Sequence, residues 1–203
     1  MRVLVACEFS GVVRRAFRAL GHDAWSCDLL PAEDGAYEHF RCDVRAWLDP
    51  PDSWDLLIAH PPCQYLSVSG LHWNARIPGR LALHDAALAF VRELLDAPIP
   101  RICLENPVGA ISTHIRKPDQ IIQPYLFGHP ESKQTCLWLK NLPHLAPTHV
   151  LEPTRFQANG RPRWDNQTPT GQNKLGPSPT RAADRARTYT GIAAAMAAQW
   201  GVL

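Results

Sequence analysis

The sequence has no uncharged apolar run near the roughly 18 residues that a membrane-crossing helix needs. Its start, Met1-Arg2-Val3-Leu4-Val5-Ala6-Cys7, also lacks the apolar core and small-residue cleavage site of a secretory signal. No membrane partner is expected, and the chain reads as cytoplasmic. An excess of one charge is missing as well. With 21 Lys and Arg against 19 Asp and Glu, the formal net charge is +2, which excludes a polybasic tail or a membrane-surface patch. Any contact with nucleic acid must therefore be local. The six cysteines, Cys7, Cys27, Cys42, Cys63, Cys103 and Cys136, include no Cys-x-x-Cys pair. That argues against a disulfide scaffold and a zinc knuckle, and no metal is expected. There is no internal repeat.

What is present fits one soluble globular domain: 203 residues, 45% apolar and 20% charged, enough chain to bury a core. The 19 prolines predict extensive irregular connections. Residues 2–7 form an apolar run followed by Phe9-Ser10-Gly11. Apolar residues then recur at helical spacing from Val12 to Leu20, ending at Gly21. This is strand, glycine turn and helix, and residues 23–28 read as the next strand of a doubly wound sheet, closed by Asp28 where a ribose diol would be met. A buried strand over 55–59 stops at Pro61-Pro62, whose fixed φ and missing N–H groups end a central strand. A helix is predicted over 81–95, a strand over 101–104 ended by Glu105-Asn106-Pro107, and another strand over 133–140. Residues 142–183, rich in Pro, Asn, Thr, Arg and Gly, read as a long loop or insertion, and the Ala-rich stretch 192–200 as a closing helix packed on the sheet.

Ligands of open α/β sheets gather at the carboxyl ends of the strands, where three unusual segments fall: Glu8-Phe9-Ser10-Gly11, His60-Pro61-Pro62-Cys63-Gln64 and Glu105-Asn106-Pro107. They are expected to converge. A cysteine between a diproline and a glutamine is poorly explained by packing, whereas the other five cysteines read as small core residues.

Phe-Ser-Gly, Pro-Pro-Cys-Gln and Glu-Asn, in this order, resemble the DNA cytosine carbon-5 methyltransferases. The Leu137-Trp138-Leu139 segment and the ending Arg187-Thr188-Tyr189-Thr190-Gly191-Ile192-Ala193 extend the likeness to small phage or prophage-type members. The resemblance covers nearly the whole chain. It implies a Rossmann-like S-adenosylmethionine-dependent methyltransferase fold, α/β with a mostly parallel central sheet and helices on both faces. Residues 1–203 would form one methyltransferase domain, with about 143–181 as a reduced substrate-recognition insertion. Two departures stand out: Val13 replaces a second glycine, and Pro107 follows Glu-Asn where valine is usual.

Cys63 is implied as the nucleophile that adds to carbon 6 of the ring. A thiolate suits that task, and a strand-end turn with nearby cations is expected to help it form. Glu105 is implied as the acid or proton-sharing partner of ring nitrogen 3 and the exocyclic amine. Its carboxyl is expected to be raised by partial burial, with pairing to Arg101 or Arg116 as the alternative. The resemblance further implies that Phe9, Ser10, Gly11, Asp28, Asp43 and Pro61 hold S-adenosylmethionine. Pro62, Gln64, Ser67, Asn106, Lys133 and Thr135 are implied at the substrate, with Ser69 and Gln134 beside them.

DNA is the expected partner, and flipping its base requires a grip on the duplex. Only the arginines, Lys174 and the aromatics Phe156, Trp164 and Tyr189 of the polar segment and its flank offer one. A free pyrimidine nucleotide, which needs no such grip, is the alternative substrate, and a non-catalytic cofactor-binding or decoy protein the alternative class. Amino-group methylation is disfavoured, because His60-Pro61-Pro62-Cys63 puts a thiol where such enzymes use an aromatic.

Overall fold

The computed structural model describes residues 1–49, 54–74, 76–178 and 181–203. The first unit runs β1 (Arg2–Ala6), α1 (Val12–Ala19) and β2 (Asp23–Asp28), with β3 (His39–Arg41) added at the edge. Next come β4 (Leu56–Ala59), the short α2 (Val68–Leu71), the long α3 (Arg80–Asp96) and β5 (Arg101–Pro107). The chain continues through α4 (Ile111–His114), β6 (Gln120–Ile122), β7 (Thr135–Lys140), a hairpin of β8 (Arg155–Phe156) and β9 (Pro162–Arg163), α5 (Arg181–Ala186) and α6 (Thr190–Trp200).

The central sheet has seven strands in the order β3-β2-β1-β4-β5-β7-β6. Neighbours from β3 to β5 are parallel, and β7 runs antiparallel to both β5 and β6. This is the Rossmann-like α/β architecture expected from the sequence. Because strand side chains alternate, each apolar strand supplies two cores. Leu4, Ala6, Leu57, Ala59 and Leu104 meet Leu88, Val91 and Leu94 of α3 on one face. Val3, Val5, Leu56, Ile58 and Cys103 meet Phe17 of α1 and Ile192, Met196 and Trp200 of α6 on the other. The order reverses between β1 and β4, so the crevice of this sheet opens at their carboxyl ends.

β5 continues through Glu105 and Asn106 to Pro107, beyond its predicted end. The register explains this: β4 has already stopped at Ala59 opposite Leu104, while β7 keeps pairing as far as Pro107 opposite Thr135. Lys133 and Gln134 precede β7 rather than belonging to it. The three-residue strands β3 and β6 are too short to leave a periodic signal. Among the described residues of 142–183, regular structure is sparse, yet the segment is anchored. Trp164 stacks on Tyr125 at 4.2 Å, and Asn166 and Ser132 exchange hydrogen bonds of 3.1 and 2.9 Å. All six cysteines are free thiols.

An ion cluster at the start of α1 gives the fold a pH dependence. The Arg14 side chain is only 1% exposed; it hydrogen-bonds Ser26 at 2.8 Å and pairs with Asp34, which Arg15 also reaches. Partial burial pushes the Asp34 carboxyl up, but the two arginines outweigh it and hold the pKa at about 2. A carboxylate depressed in this way stabilises the fold above the ordinary aspartate range and ceases to do so as pH falls towards 2. Acid titration followed by circular dichroism should show Asp34→Asn less stable than wild type at neutral pH, with a shallower loss of stability below pH 4, roughly the ordinary aspartate pKa.

Candidate active site

The carboxyl ends of the parallel strands bring the three motif segments together. After β1 the chain turns sharply. Cys7 has φ of 57° and Gly11 φ of 65°, and a Cβ on Gly11 would lie 2.5 Å from the Arg14 guanidinium, so only glycine fits. Glu8 is buried, and its carboxylate accepts the Val13 amide at 2.6 Å and the Arg14 amide at 3.3 Å. It therefore caps α1 from within, where the macrodipole favours negative charge. Val13, the departure from a second glycine, is thus a helical residue whose N–H serves this cap. Burial raises the Glu8 carboxyl, opposed by His60, these two amides and Arg14.

After β4, the buried Pro61 and exposed Pro62 lead into a turn in which the Cys63 carbonyl accepts the amides of Leu66 and Ser67 at 3.0 and 2.9 Å. Cys63 is half-buried. From α3, Arg80 donates to the Gln64 carbonyl at 2.9 Å, and the buried His84 reaches the Tyr65 carbonyl at 2.8 Å. The Gln64 side chain is left exposed, and the Ser67 hydroxyl lies 3.2 Å from that of Ser69.

Because Ala59 lies opposite Leu104 in parallel register, His60 falls beside Glu105, and His60 Nδ1 is 2.8 Å from Glu105 Oε2. The buried Asn106 donates Nδ2 to the Pro61 carbonyl at 2.8 Å, tying the two turns together. Glu105, Lys133 and Thr135 line one small cleft with Thr188, Tyr189 and Ile192. Lys133 Nζ bonds the Arg185 carbonyl at 2.8 Å and sits 5.7 Å from the Tyr189 ring centre. The Tyr189 hydroxyl donates to Glu131 at 2.5 Å.

Two expectations about charge are corrected. Burial does push the Glu105 carboxyl up, but the His60 hydrogen bond, the His60 charge and Lys133 outweigh it, so the group lies below the usual glutamate range. Neither Arg101 nor Arg116 is its partner. Cys63 moves the other way: burial and the Glu105 charge raise its thiol, and the cations that oppose this, Lys133 and Arg185, do not prevail. At rest the sulfur keeps its proton and the carboxyl does not.

The remaining candidates divide. Asp28 and Asp43 both act on the Cys7 thiol, raised by burial and these charges to about 12, so they share the crevice beside β1. Asp28 accepts the Leu30 amide through Oδ1 at 2.9 Å. Asp43 caps a 3₁₀ turn through the Arg45 amide and pairs with the Arg45 guanidinium at 3.0 Å, which commits much of its carboxylate. Phe9 is half-buried, its carbonyl bonded by the Glu33 amide at 2.9 Å, and Ser10 is buried. The basic and aromatic surface is smaller than expected. Trp164 is buried against Tyr125, Arg155 faces Asp165 at 3.6 Å, and Arg187 forms a two-pronged pair with Glu33 at 2.6 and 2.7 Å. Phe156 stays 59% exposed.

The carboxylates of Asp28 and Asp43, which act on Cys7 at the end of β1, fit the ribose diol and positive charges of S-adenosylmethionine. Among the described residues, the buried Asn106 Oδ1 and His60 Nε2 have no hydrogen-bond partner. Buried polar atoms are rarely left so, which fits a site completed by a bound molecule. No helix of the described residues is long and apolar enough to cross a membrane, and none of their His, Cys, Asp and Glu side chains cluster in threes to hold a metal.

No protein-family model matches the chain, and no curated protein does. Solved structures do match. One is a prophage-encoded Escherichia coli protein provisionally described as a DNA modification methyltransferase, 15% identical over 78% of this chain and 57% of that one, with a TM-score of 0.48. An Escherichia coli rRNA methylase is 14% identical over 68% of this chain and 55% of that one, with a TM-score of 0.37. The 16S rRNA methylase RmtB is 16% identical over 68% and 54%, with a TM-score of 0.34. The chain thus spans little more than half the length of each, and its chemistry has to be read from its own residues.

Proposed function

We propose that this chain methylates carbon 5 of cytosine in DNA, with S-adenosylmethionine as methyl donor, Cys63 as the nucleophile and Glu105 as its proton-sharing partner. The observation that carries the reading is the join between the turn bearing Cys63, which follows β4, and the segment bearing Glu105 on the adjacent parallel strand β5, made where Asn106 Nδ2 donates to the Pro61 carbonyl at 2.8 Å. Phe9, Ser10, Gly11, Asp28, Asp43 and Pro61 would hold the cofactor. Pro62, Gln64, Ser67, Asn106, Lys133 and Thr135 would seat the base and its phosphate.

The resting protonation states suit this chemistry. Attack on carbon 6 requires a proton to leave sulfur, and the electron pair pushed into the ring requires a proton at nitrogen 3. Excluding water beside Glu105, and placing a ring nitrogen lone pair against it, both raise the carboxyl's affinity for a proton. Glu105 can then take the proton that Cys63 gives up and share it with nitrogen 3. S-adenosylmethionine held by the residues named above would supply an electrophilic methyl group for the carbon 5 electron pair. Loss of the carbon 5 hydrogen as a proton restores the ring double bond and expels the Cys63 sulfur.

Purified protein with labelled S-adenosylmethionine and duplex DNA, single-stranded DNA, RNA or dCMP tests the reading. Label on carbon 5 of DNA cytosine is expected. Transfer to dCMP alone would move the substrate to the free nucleotide, and cofactor binding without transfer to any of them would favour a decoy. Glu105→Gln, which cannot carry the proton, should slow transfer by about 100-fold or more while changing cofactor affinity little.

A further inference from the structure

Cys27 and Cys42 have no part in the proposed reaction, yet their sulfurs lie 3.9 Å apart. Sheet register brings them there. Cys27 of β2 pairs with Phe40 of β3, and Asp28 with Arg41, so Cys42, the residue just past β3, lies diagonally across from Cys27. Both side chains join the core on the α3 face. Their surroundings divide two tasks between them. Cys42 is half-buried, and its sulfur accepts the Trp47 indole N–H at 3.3 Å. Cys27 is fully buried and donates its S–H to the Cys42 carbonyl at 3.4 Å. One thiol is within reach of a small solute, and the other stands behind it.

We propose that Cys27 and Cys42 are a peroxide-responsive thiol pair that closes to a disulfide beside the cofactor crevice and lowers the affinity for S-adenosylmethionine. The Cys42 sulfur attacks one peroxide oxygen, the O–O bond breaks, and Cys42 becomes a sulfenic acid as a first water leaves. The Cys27 sulfur then attacks the Cys42 sulfur and expels the hydroxyl, which departs as a second water with the Cys27 proton. The two thiols lose two electrons and two protons in all, and one peroxide is reduced to two waters. Burial raises the Cys27 thiol and the neighbouring Cys42 adds to this, which suits Cys27 to the second step, where its proton leaves with the hydroxyl.

Closure moves Cys42 more than Cys27. A disulfide needs its sulfurs about 2.05 Å apart, well inside the 3.9 Å found here. β2 is held by parallel pairing to β1 and β3, whereas Cys42 lies beyond a three-residue edge strand. Cys42 is joined directly to Asp43, whose Oδ1 accepts the Arg45 amide at 3.0 Å and caps the 3₁₀ turn Val44–Trp47. Trp47, at the end of that turn, stacks on Phe40 at 3.9 Å and donates to the sulfur that must move. Pulling Cys42 towards β2 therefore strips the indole of its acceptor and shifts the Asp43 carboxylate. The loss of affinity rests on the reading of Asp43 as a cofactor residue; the disulfide itself does not.

The test treats the reduced full chain with hydrogen peroxide, caps the remaining thiols with iodoacetamide and maps tryptic peptides by mass spectrometry without reduction. Trypsin cleaves after Arg18, Arg41 and Arg45, so the two cysteines fall on separate peptides, 19–41 and 42–45. A linked pair of these peptides, lighter by two hydrogens than its parts, is expected, and dithiothreitol should separate it. Calorimetry should show S-adenosylmethionine bound about tenfold more weakly after oxidation, with recovery on reduction, because a displaced carboxylate forfeits a charge-assisted hydrogen bond. Cys63→Ala protein should respond in the same way, which separates the pair from oxidation of Cys63. Cys42→Ser and Cys27→Ala should bind as reduced wild type does and ignore peroxide, whereas Cys7→Ser should respond fully. Cys42→Ser leaves the buried Cys27 in place should Cys27→Ala fold poorly.

Oxidation of Cys42 without a link to Cys27, a link from either one to Cys7 instead, or a linked protein that binds the cofactor as tightly as the reduced one would overturn the proposal. Reduced protein that binds no S-adenosylmethionine would sink the cofactor reading, and the linked peptide alone would then decide the thiol pair.

Discussion

Cys63→Ala should abolish methyl transfer and, with it, the covalent complex formed on DNA containing 5-fluorocytosine. The expected loss is large because the thiol has no substitute. The other five thiols, Cys7, Cys27, Cys42, Cys103 and Cys136, sit on or just beyond sheet strands, and Cys27, Cys103 and Cys136 are buried in the cores. Without addition at carbon 6, carbon 5 is too poor a nucleophile to take a methyl group, so the rate should fall by about 1,000-fold or more, in the range seen when covalent nucleophiles are removed. Fluorine at carbon 5 cannot leave as a proton, so the wild-type adduct should persist through denaturing electrophoresis. Cys63 is half-buried in a turn closed by backbone bonds to its carbonyl, so removing its sulfur should barely change thermal stability. Undiminished transfer by a folded Cys63→Ala protein would refute the nucleophile and the carbon 5 chemistry with it.

The legible part of this site was the part fixed by strand ends. Apolar runs and the residues that break them put Cys63 after β4 and Glu105 at the end of the strand that precedes it, because a proline pair stops a central strand whatever the tertiary context; the structure carries β5 on through Glu105 to Pro107. The doubly wound order then puts those two ends side by side. What escaped was pairing across the sheet. That His60 bonds Glu105 depends on Ala59 lying opposite Leu104, a register that no single strand encodes. Once β4 and β5 are taken as parallel neighbours, however, the residue after Ala59 falls beside the residue after Leu104. Charge states depend on the same cross-strand pairing. Glu105 is buried as its strand-end position implies, but the proton donor that outweighs burial, His60, stands just past the end of the neighbouring strand. Likewise, Glu8 was noted only as part of a motif, since its role as an internal cap on α1 needs the left-handed turn at Gly11 to bring it back to the Val13 amide. Trp164 read as a stacking platform because aromatics in a polar loop look exposed, whereas it stacks on Tyr125 to anchor that loop.

Gly109→Ala should damage this protein severely through a single added methyl group. Gly109 follows the Glu105-Asn106-Pro107 segment and forms an antiparallel bridge with Ser67, while Val68 and Ala110 exchange amide bonds with Val108 and Leu66 at 3.2 and 2.8 Å. The loop carrying Cys63 is thereby laced directly to the end of β5. An added Cβ would lie 2.0 Å from the Leu66 carbonyl oxygen and 2.9 Å from its carbon, both backbone atoms that cannot rotate away. The bridge must open or one loop must move, and overpacking of this kind costs about 1–3 kcal/mol. Leu66 and Ser67 also supply the amides that close the Cys63 turn, so the displacement passes straight to the sulfur. A shift of about 1 Å between reacting groups is enough to cost about 100-fold in rate, so activity should fall further than stability alone explains. Thermal melting and the rate of methyl transfer, measured well below the melting temperature, separate the two effects. A variant that melts like wild type and transfers at the wild-type rate would mean that the Cys63 loop and the β5 end are not held as one unit.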